Sequence, residues 1–360
     1  MSTRTYAEHA LPLWRRVLLT REFAVIGLLI VIALYARSEV ANFDGPLTLS
    51  FLLLDMTPIL LIALPMTMVI VTGEIDLSVA SVVGLSSVVV GDLHQHGWSI
   101  PAAAVAALVV GVICGAFNGY LVAYVGLPSL AVTIGTLALY RGIAVGILGT
   151  KAVTDFPAKW TELASRNIGS SGFPVVVIPF LVLAVMFALL LHFTSFGRGV
   201  FDIGLNDEAA RFSGVDVART KFRLFVLAGV VSAFAGIFYT LRYGSSRGDN
   251  ATGLELQVIA AVLLGGVSIF GGRGALHGVI AGVLLIGVIS SALRLENVTV
   301  NLINIIIGLL LVLSVVSTSF LAWVSELSQK SGVIKRGRQN RHAPLANAEP
   351  RRRHQRKEEQ

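Results

Sequence analysis

GRGVFDIGLNDEAARFSGVDV, residues 197–217, interrupts an otherwise apolar chain between hydrophobic segments at about 173–193 and 222–241. Nine charged residues crowd the interval from Arg198 to Arg223: Arg198, Asp202, Asp207, Glu208, Arg211, Asp216, Arg219, Lys221 and Arg223. Each charge at a bilayer centre costs about 2.5–3.5 kcal/mol, so this stretch belongs in water beside a membrane. Asn206, followed by Asp207, Glu208, Ala209, Ala210 and Arg211, reads as a helix N-cap with acids in the first turn. Gly214 then supplies the helix stop. A short helix of mixed charge held at a membrane surface is a docking element for another protein.

Composition places the rest of the chain in lipid. Its 360 residues are 55% hydrophobic and 14% charged, against about 25% charged in soluble proteins. No polar stretch is long enough for a soluble domain of any size. The predicted fold is therefore an all-α polytopic membrane protein of about ten transmembrane helices. The expected spans are 22–37, 49–72, 77–92, 99–123, 129–149, 173–193, 222–242, 255–271, 275–293 and 300–325. Two of these read as short or broken. The 77–92 span follows Gly73-Glu74-Ile75-Asp76, and 255–271 runs through Gly265-Gly266 into Gly271-Gly272-Arg273-Gly274. Interrupted helices of this kind are tolerated where they line a water-filled path.

Basic residues orient the spans. Arg4, Arg15, Arg16 and Arg21 mark residues 1–21 as a cytoplasmic N-terminal segment. Ten of the 28 Lys and Arg residues fall after position 329, so 326–360 is expected to be a disordered basic tail, also cytoplasmic. The region 22–325 between them is the transmembrane domain. An even number of spans results, and the 194–221 loop falls on the cytoplasmic side after six of them. The 150–172 and 243–254 loops then face outward; Lys151, Lys159 and Arg166 in the former run against the charge rule.

Polar residues inside apolar runs are the candidates for a transport path, since lipid would not tolerate them. They are Asp55, Glu74, Asp76, Asn118, Thr133, Thr136, Arg141 and Gln257. Each also has a structural reading. Asp76 suits a cap for a helix starting near Leu77. Thr133 and Thr136 share a helix side and can bond their own backbone. Asn118 and Arg141 are either glue between helices or part of the path. Asp55 is either on the path or hydrated near the outer interface, and Pro58 is placed to kink its helix.

Several classes of function are excluded. No G-x-x-x-x-G-K-[ST] phosphate loop occurs, so the chain is not its own ATPase and holds no ATP cofactor itself. There is no H-E-x-x-H and no recognisable catalytic cluster; the reading is not an enzyme. Cys114 is the only cysteine, and His94 and His96 are solvated residues of a short loop rather than a metal site. The basic tail lacks interleaved aromatic residues, against nucleic-acid binding.

The order G-x-N-x-E-A-A-R-x-S-G over 204–214 resembles the coupling helix of bacterial ABC-importer permeases of the ribose/xylose/rhamnose type, although Leu205 stands where that family has a small residue. TGEIDLS (72–78), FNGYLVAYVGLPSLAVTIGTLALYRG (117–142) and TGLELQVIAAVLLGGVSIFGGRG (252–274) look like the same family. In the last of these, Gln257 replaces a common acid. The nearest kinds are the rhamnose-type and autoinducer-2 import permeases, the latter sharing the G-S-x-R-x-D pattern of 244–249. The resemblance covers about residues 49–320. It implies a permease subunit of the inner membrane, moving a sugar or an autoinducer-2-like molecule. It implies docking of 194–221, through Asn206–Arg211 and Gly214, on a separate cytoplasmic ATPase. A second permease, identical or paralogous, and an extracytoplasmic solute-binding protein complete the implied assembly. The alternative is an ion-coupled secondary transporter using Asp55, Glu74 and Asp76 as ion ligands.

Overall fold

A computed structural model describes residues 20–313 and 316. The segments predicted at 1–21 and 326–360 lie outside the described residues, apart from Thr20 and Arg21, as does the predicted last span beyond Leu313. In chain order the helices are α1 (Arg21–Glu39), α2 (Pro46–Val71), α3 (Val79–Gln95), α4 (Ile100–Ala123), α5 (Ser129–Leu148), α6 (Ala158–Ser165) and α7 (Val177–Phe193). There follow α8 (Ser195–Leu205), α9 (Asp207–Phe212), α10 (Val217–Tyr243), α11 (Leu254–Leu264), α12 (Leu276–Leu295) and α13 (Val300–Leu313). Among the described residues there is no strand; the only pairings are isolated antiparallel bridges, Val153 with Ser246 and Asn167 with Pro174.

Among the described residues, five helices are long and apolar enough to cross a membrane: α2, α4, α5, α10 and α12. The pair α7 and α8 makes a sixth if it is one span bent by 66°. α3 and α11 are shorter than 18 residues, the described part of α13 is Val300–Leu313, and α1 carries Arg21, Glu22, Arg37 and Glu39 at its ends. A helix also occupies part of the loop predicted at 150–172, where Pro157 fixes the entry to α6.

α2 and α10 form the inside of the bundle. α10 packs on α2, α3 and α4, and α2 also meets α7, α11 and α12. Lipid tails are as apolar as leucine, so within a membrane such contacts rest on close packing and hydrogen bonds rather than on escape from water. α4 meets this need with Gly111, Gly115 and Gly119, spaced four apart on its buried face. They let its backbone lie directly on that of α10 at Phe225 and Gly229. The opposite face of α4 exposes Val105, Val109, Ile113 and Phe117, and α7 likewise exposes Leu181, Val182, Val185 and Leu189. Apolar faces of this extent belong in lipid or against another membrane protein.

Loops gather at two ends of the bundle. At one, the loop 72–78, the segment 204–207 and the glycine turn 271–272 touch: Gly272 N–H donates to Val71 O (2.8 Å) and Glu74 shares Lys221 with Asp207. At the other, 150–156 meets 243–254 through Val153 and Ser246, and Ser50 donates to Asn167 (2.7 Å).

Candidate coupling and translocation sites

The polar stretch folds into two helices. α7 ends at Thr194, whose hydroxyl accepts from Gly197 N–H (3.1 Å) and starts α8 in a new direction. α8 buries Gly197, Gly199, Val200 and Ile203 and leaves Arg198, Asp202 and Leu205 exposed. It is amphipathic, as a helix lying along a membrane surface must be. Asn206 is extended and caps α9, with Oδ1 accepting from Ala209 N–H (2.8 Å). Ser213 closes the helix and Gly214 turns away at φ +88°. Ala210 packs with Ile203, Val215 and Val217, seating α9 on the bundle. Glu208, Ala209, Arg211 and Phe212 face outward; Phe212 is 92% exposed. Asp207 instead points inward, to Lys221.

The 72–78 loop behind it buries Thr72, Asp76 and Ser78 and is stitched to three helices, α4, α5 and α10. Asp76 does not cap the next helix directly. Its Oδ1 accepts from Ser78 N–H (2.9 Å) and Ser78 Oγ (2.7 Å), a turn that precedes α3 by two residues and leaves Ser78 at the cap position. Asn118 donates to Ser78 Oγ (2.7 Å) and accepts from the Tyr140 hydroxyl (3.1 Å). Ser129 Oγ accepts from Ile75 N–H (3.1 Å), and Thr133 donates to Ile75 O (3.2 Å) and Ser129 O (2.8 Å). Thr136 reaches only its own helix, at Thr133 O (3.4 Å). Burial pushes the Asp76 carboxyl up to about 6, against the lowering effect of the two Ser78 hydrogen bonds. Asn118, Thr133 and Asp76 thus belong to one hydrogen-bonded network around the 72–78 loop.

A polar pocket of about 460 Å³ lies at the opposite end, lined by Asp55, Tyr239, Tyr243, Arg247, Asp249, Asn250, Gln257 and Arg294 among others. Asp55 pairs with Arg294 (2.7 Å) and more loosely with Arg242 (3.9 Å). Asp249 is held by a two-pronged pair with Arg247 (2.9 and 3.0 Å), and that hydrogen-bonded guanidinium keeps its carboxyl below the usual range. The pocket wall is fixed from below. Arg141 donates to Gly248 O (2.9 Å) and Asn250 O (2.6 Å), and Asn250 Nδ2 donates to Ser87 Oγ (2.9 Å). Arg141 is therefore a clamp on the 243–254 loop. Tyr239 and Tyr243 stand one turn apart with ring centroids 4.5 Å from each other.

The residues singled out in the sequence therefore separate into three places. Asp55 and Gln257 share the pocket; Asp76, Asn118, Thr133 and Thr136 lie inside the bundle; Glu74 joins the docking end. Among the described residues no three His, Cys, Asp or Glu side chains group as an ion site, and Asp55, Glu74 and Asp76 do not converge. Lys221 and Arg294 were missed. Lys221 stands at the end of a charged run and Arg294 follows an apolar one, and their partners Glu74 and Asp55 lie 147 and 239 positions away, beyond any local signal.

Residues 48–315 match the family model described as branched-chain amino acid transport system / permease component. Among curated relatives, the autoinducer 2 import system permease protein LsrD of Yersinia enterocolitica is 36% identical over 305 residues, covering 83% of this chain and 91% of the relative. The protein of that name from Photorhabdus laumondii is 37% identical over 308 residues, with shares of 83% and 91%. That from Salmonella typhimurium is 36% identical over 265 residues, with shares of 72% and 79%. No solved structure matches. The chain belongs to this permease family: it is an ABC-importer permease, a multi-pass protein of the inner membrane and not an enzyme.

Proposed function

From that membership, we propose that the chain is the membrane subunit through which a small neutral polyhydroxylated molecule, a sugar or an autoinducer-2-like compound, is imported at the expense of ATP hydrolysed by a separate subunit. The observation that carries the reading is α9. It is capped and packed on its inner side, yet presents Glu208, Arg211 and Phe212 to a partner. In this reading 194–221 docks on a cytoplasmic ATPase, and ATP-driven closure moves α9. A second permease, identical or paralogous, completes the path, and a solute-binding protein meets the joined 150–172 and 243–254 loops. The transmembrane domain is 22–325, flanked by cytoplasmic 1–21 and 326–360. The ten spans are α1–α5, α7 and α10–α13, with both termini cytoplasmic. Alternation supports this count, since helix ends fall in turn at the docking end and the pocket end.

The pocket supports a neutral cargo. Its lining holds two carboxylates, Asp55 and Asp249, and two guanidiniums, Arg247 and Arg294, each already paired. Paired groups keep spare lone pairs and N–H donors for hydroxyls while presenting no net charge. A rhamnose-like sugar fits this chemistry as well as an autoinducer does. The ion-coupled alternative draws no support, because its three carboxylates are held apart by separate partners.

The test is Glu208→Ala with Arg211→Ala. The doubly changed permease is expected at normal abundance in the membrane, with uptake and co-purification of the ATPase both reduced. Normal uptake would refute the docking assignment.

A further inference from the structure

Lys221 sits at the base of α10 with its side chain 11% exposed. Its ammonium is 2.7 Å from Glu74 Oε1 and 2.7 Å from Asp207 Oδ2. These two carboxylates belong to segments that share no other ion pair among those described. Asp207 is the first residue of α9, whereas Glu74 is in the loop between α2 and α3. An ammonium has three donors and no acceptor, so one lysine can hold both at once. The hydrogen bonds are charge-assisted, about twice the strength of neutral ones.

The connection continues inward without a gap. Next to Glu74, Ile75 is tied to Ser129 and Thr133 of α5. Asp76 is tied to Ser78, and Ser78 to Asn118 of α4. On the other side of Lys221, α9 exposes Glu208, Arg211 and Phe212. Lys221 therefore stands between α9 and the 72–78 loop, paired to both.

We propose that Lys221 is a positioning residue for transport, the link that delivers displacement of α9 to the 72–78 loop and through it to α3, α4 and α5. This rests on the reading of α9 as the ATPase-docking helix. Coupling is a free energy between two sites, and it is read here as uptake per ATP hydrolysed.

The experiment uses the full permease reconstituted with its ATPase, reading membrane abundance, ATPase co-purification, and substrate taken up per ATP hydrolysed. Lys221→Met keeps the apolar stem and removes the charge. It is expected to leave co-purification unchanged and to lower uptake per ATP about tenfold, a coupling energy of ordinary size. Lys221→Arg, which keeps two or more donors and the charge, is expected to restore most of it. Lys221→Met also leaves Glu74 and Asp207 facing each other unpaired, which can impair folding by itself. The triple variant Glu74→Gln, Lys221→Met, Asp207→Asn removes every charge of the cluster; it is expected at normal abundance and uncoupled to the same degree. Normal uptake per ATP in Lys221→Met or in the triple variant would overturn the inference. So would recovery of uptake in step with abundance, because the role would then be structural alone. These results are separable from failure of docking itself, which is read from Glu208→Ala with Arg211→Ala by loss or retention of co-purification.

Discussion

Gly115→Ala and Gly142→Ala make the same chemical change in two helices and should have different effects. In the middle of a helix, alanine is favoured over glycine by about 1 kcal/mol, and that gain is common to both. At Gly142, on the exposed side of α5, no heavy atom beyond its own turn lies within 4 Å of an added methyl. At Gly115 the methyl would stand 2.9 Å from Val226 Cα and press on the Phe225 carbonyl oxygen. Both are backbone atoms of α10 and cannot rotate aside. α10 would have to retreat, loosening the neighbouring contacts of Gly119 with Phe222 and of Gly111 with Gly229. Overpacking of this kind costs about 1–3 kcal/mol. Because the intrinsic gain cancels between the two variants, the whole difference is the packing cost. For a protein of this size it is a gap of several degrees, at about 2–4 °C per kcal/mol. Thermal unfolding of the detergent-solubilised variants, followed by tryptophan fluorescence, measures it. Equal melting temperatures, or a more stable Gly115→Ala, would refute the claim that α4 and α10 pack backbone to backbone.

Asp55→Asn should retain most uptake, because an acceptor for Arg294 and for a neutral cargo remains; Asp55→Leu should lose it, leaving the mostly buried Arg242 without a carboxylate nearby. An ion-coupled carrier would already be inactive with asparagine, so uptake assays at matched abundance discriminate. Asp76 supplies a pH test. Its carboxyl, raised from 3.8 to about 6 by burial, binds a proton more readily in the folded state than in the unfolded. The wild type thus gains stability from this group as pH falls from about 7 toward 4 and loses it as pH rises through about 6. Asn does not titrate. The melting temperature of Asp76→Asn minus that of wild type should therefore increase between about pH 5 and about pH 8; a flat difference would contradict the assignment. Asn206→Ala should weaken α9 by about 1 kcal/mol through loss of its cap, seen as faster proteolysis at 205–214 with the rest of the chain protected.

Hydropathy made most of the helices legible, because a run of apolar residues has few other uses in a chain with so little charge. The polar break at 197–217 was legible for the converse reason: its charges have only one permissible environment, and Asn206 and Gly214 mark the ends of α9 by local chemistry. What depended on long-range partners was not legible. Asp76 looks like a cap in sequence, but α3 begins only at Val79 with Ser78 in the cap position, so its carboxylate serves Ser78 instead. The triple glycine spacing of α4 stands out as a close-packing face only once Phe225 and Gly229 lie against it. Lys221 stands at the end of a charged run where it resembles any solvated cation; only the fold brings Glu74 to it. Arg141 read as a residue of the path or as glue, and its carbonyl partners at 248 and 250 place it as a clamp.

The central claim is that transport through this chain is powered by an ATPase docked at α9. The direct measurement is uptake of labelled substrate into proteoliposomes holding the permease with its ATPase, with and without ATP and with and without ionophores. The account expects uptake only when ATP is hydrolysed, undiminished when ion gradients are dissipated and lost in Glu208→Ala with Arg211→Ala. Uptake that proceeds without ATP and collapses with the ion gradient would contradict it.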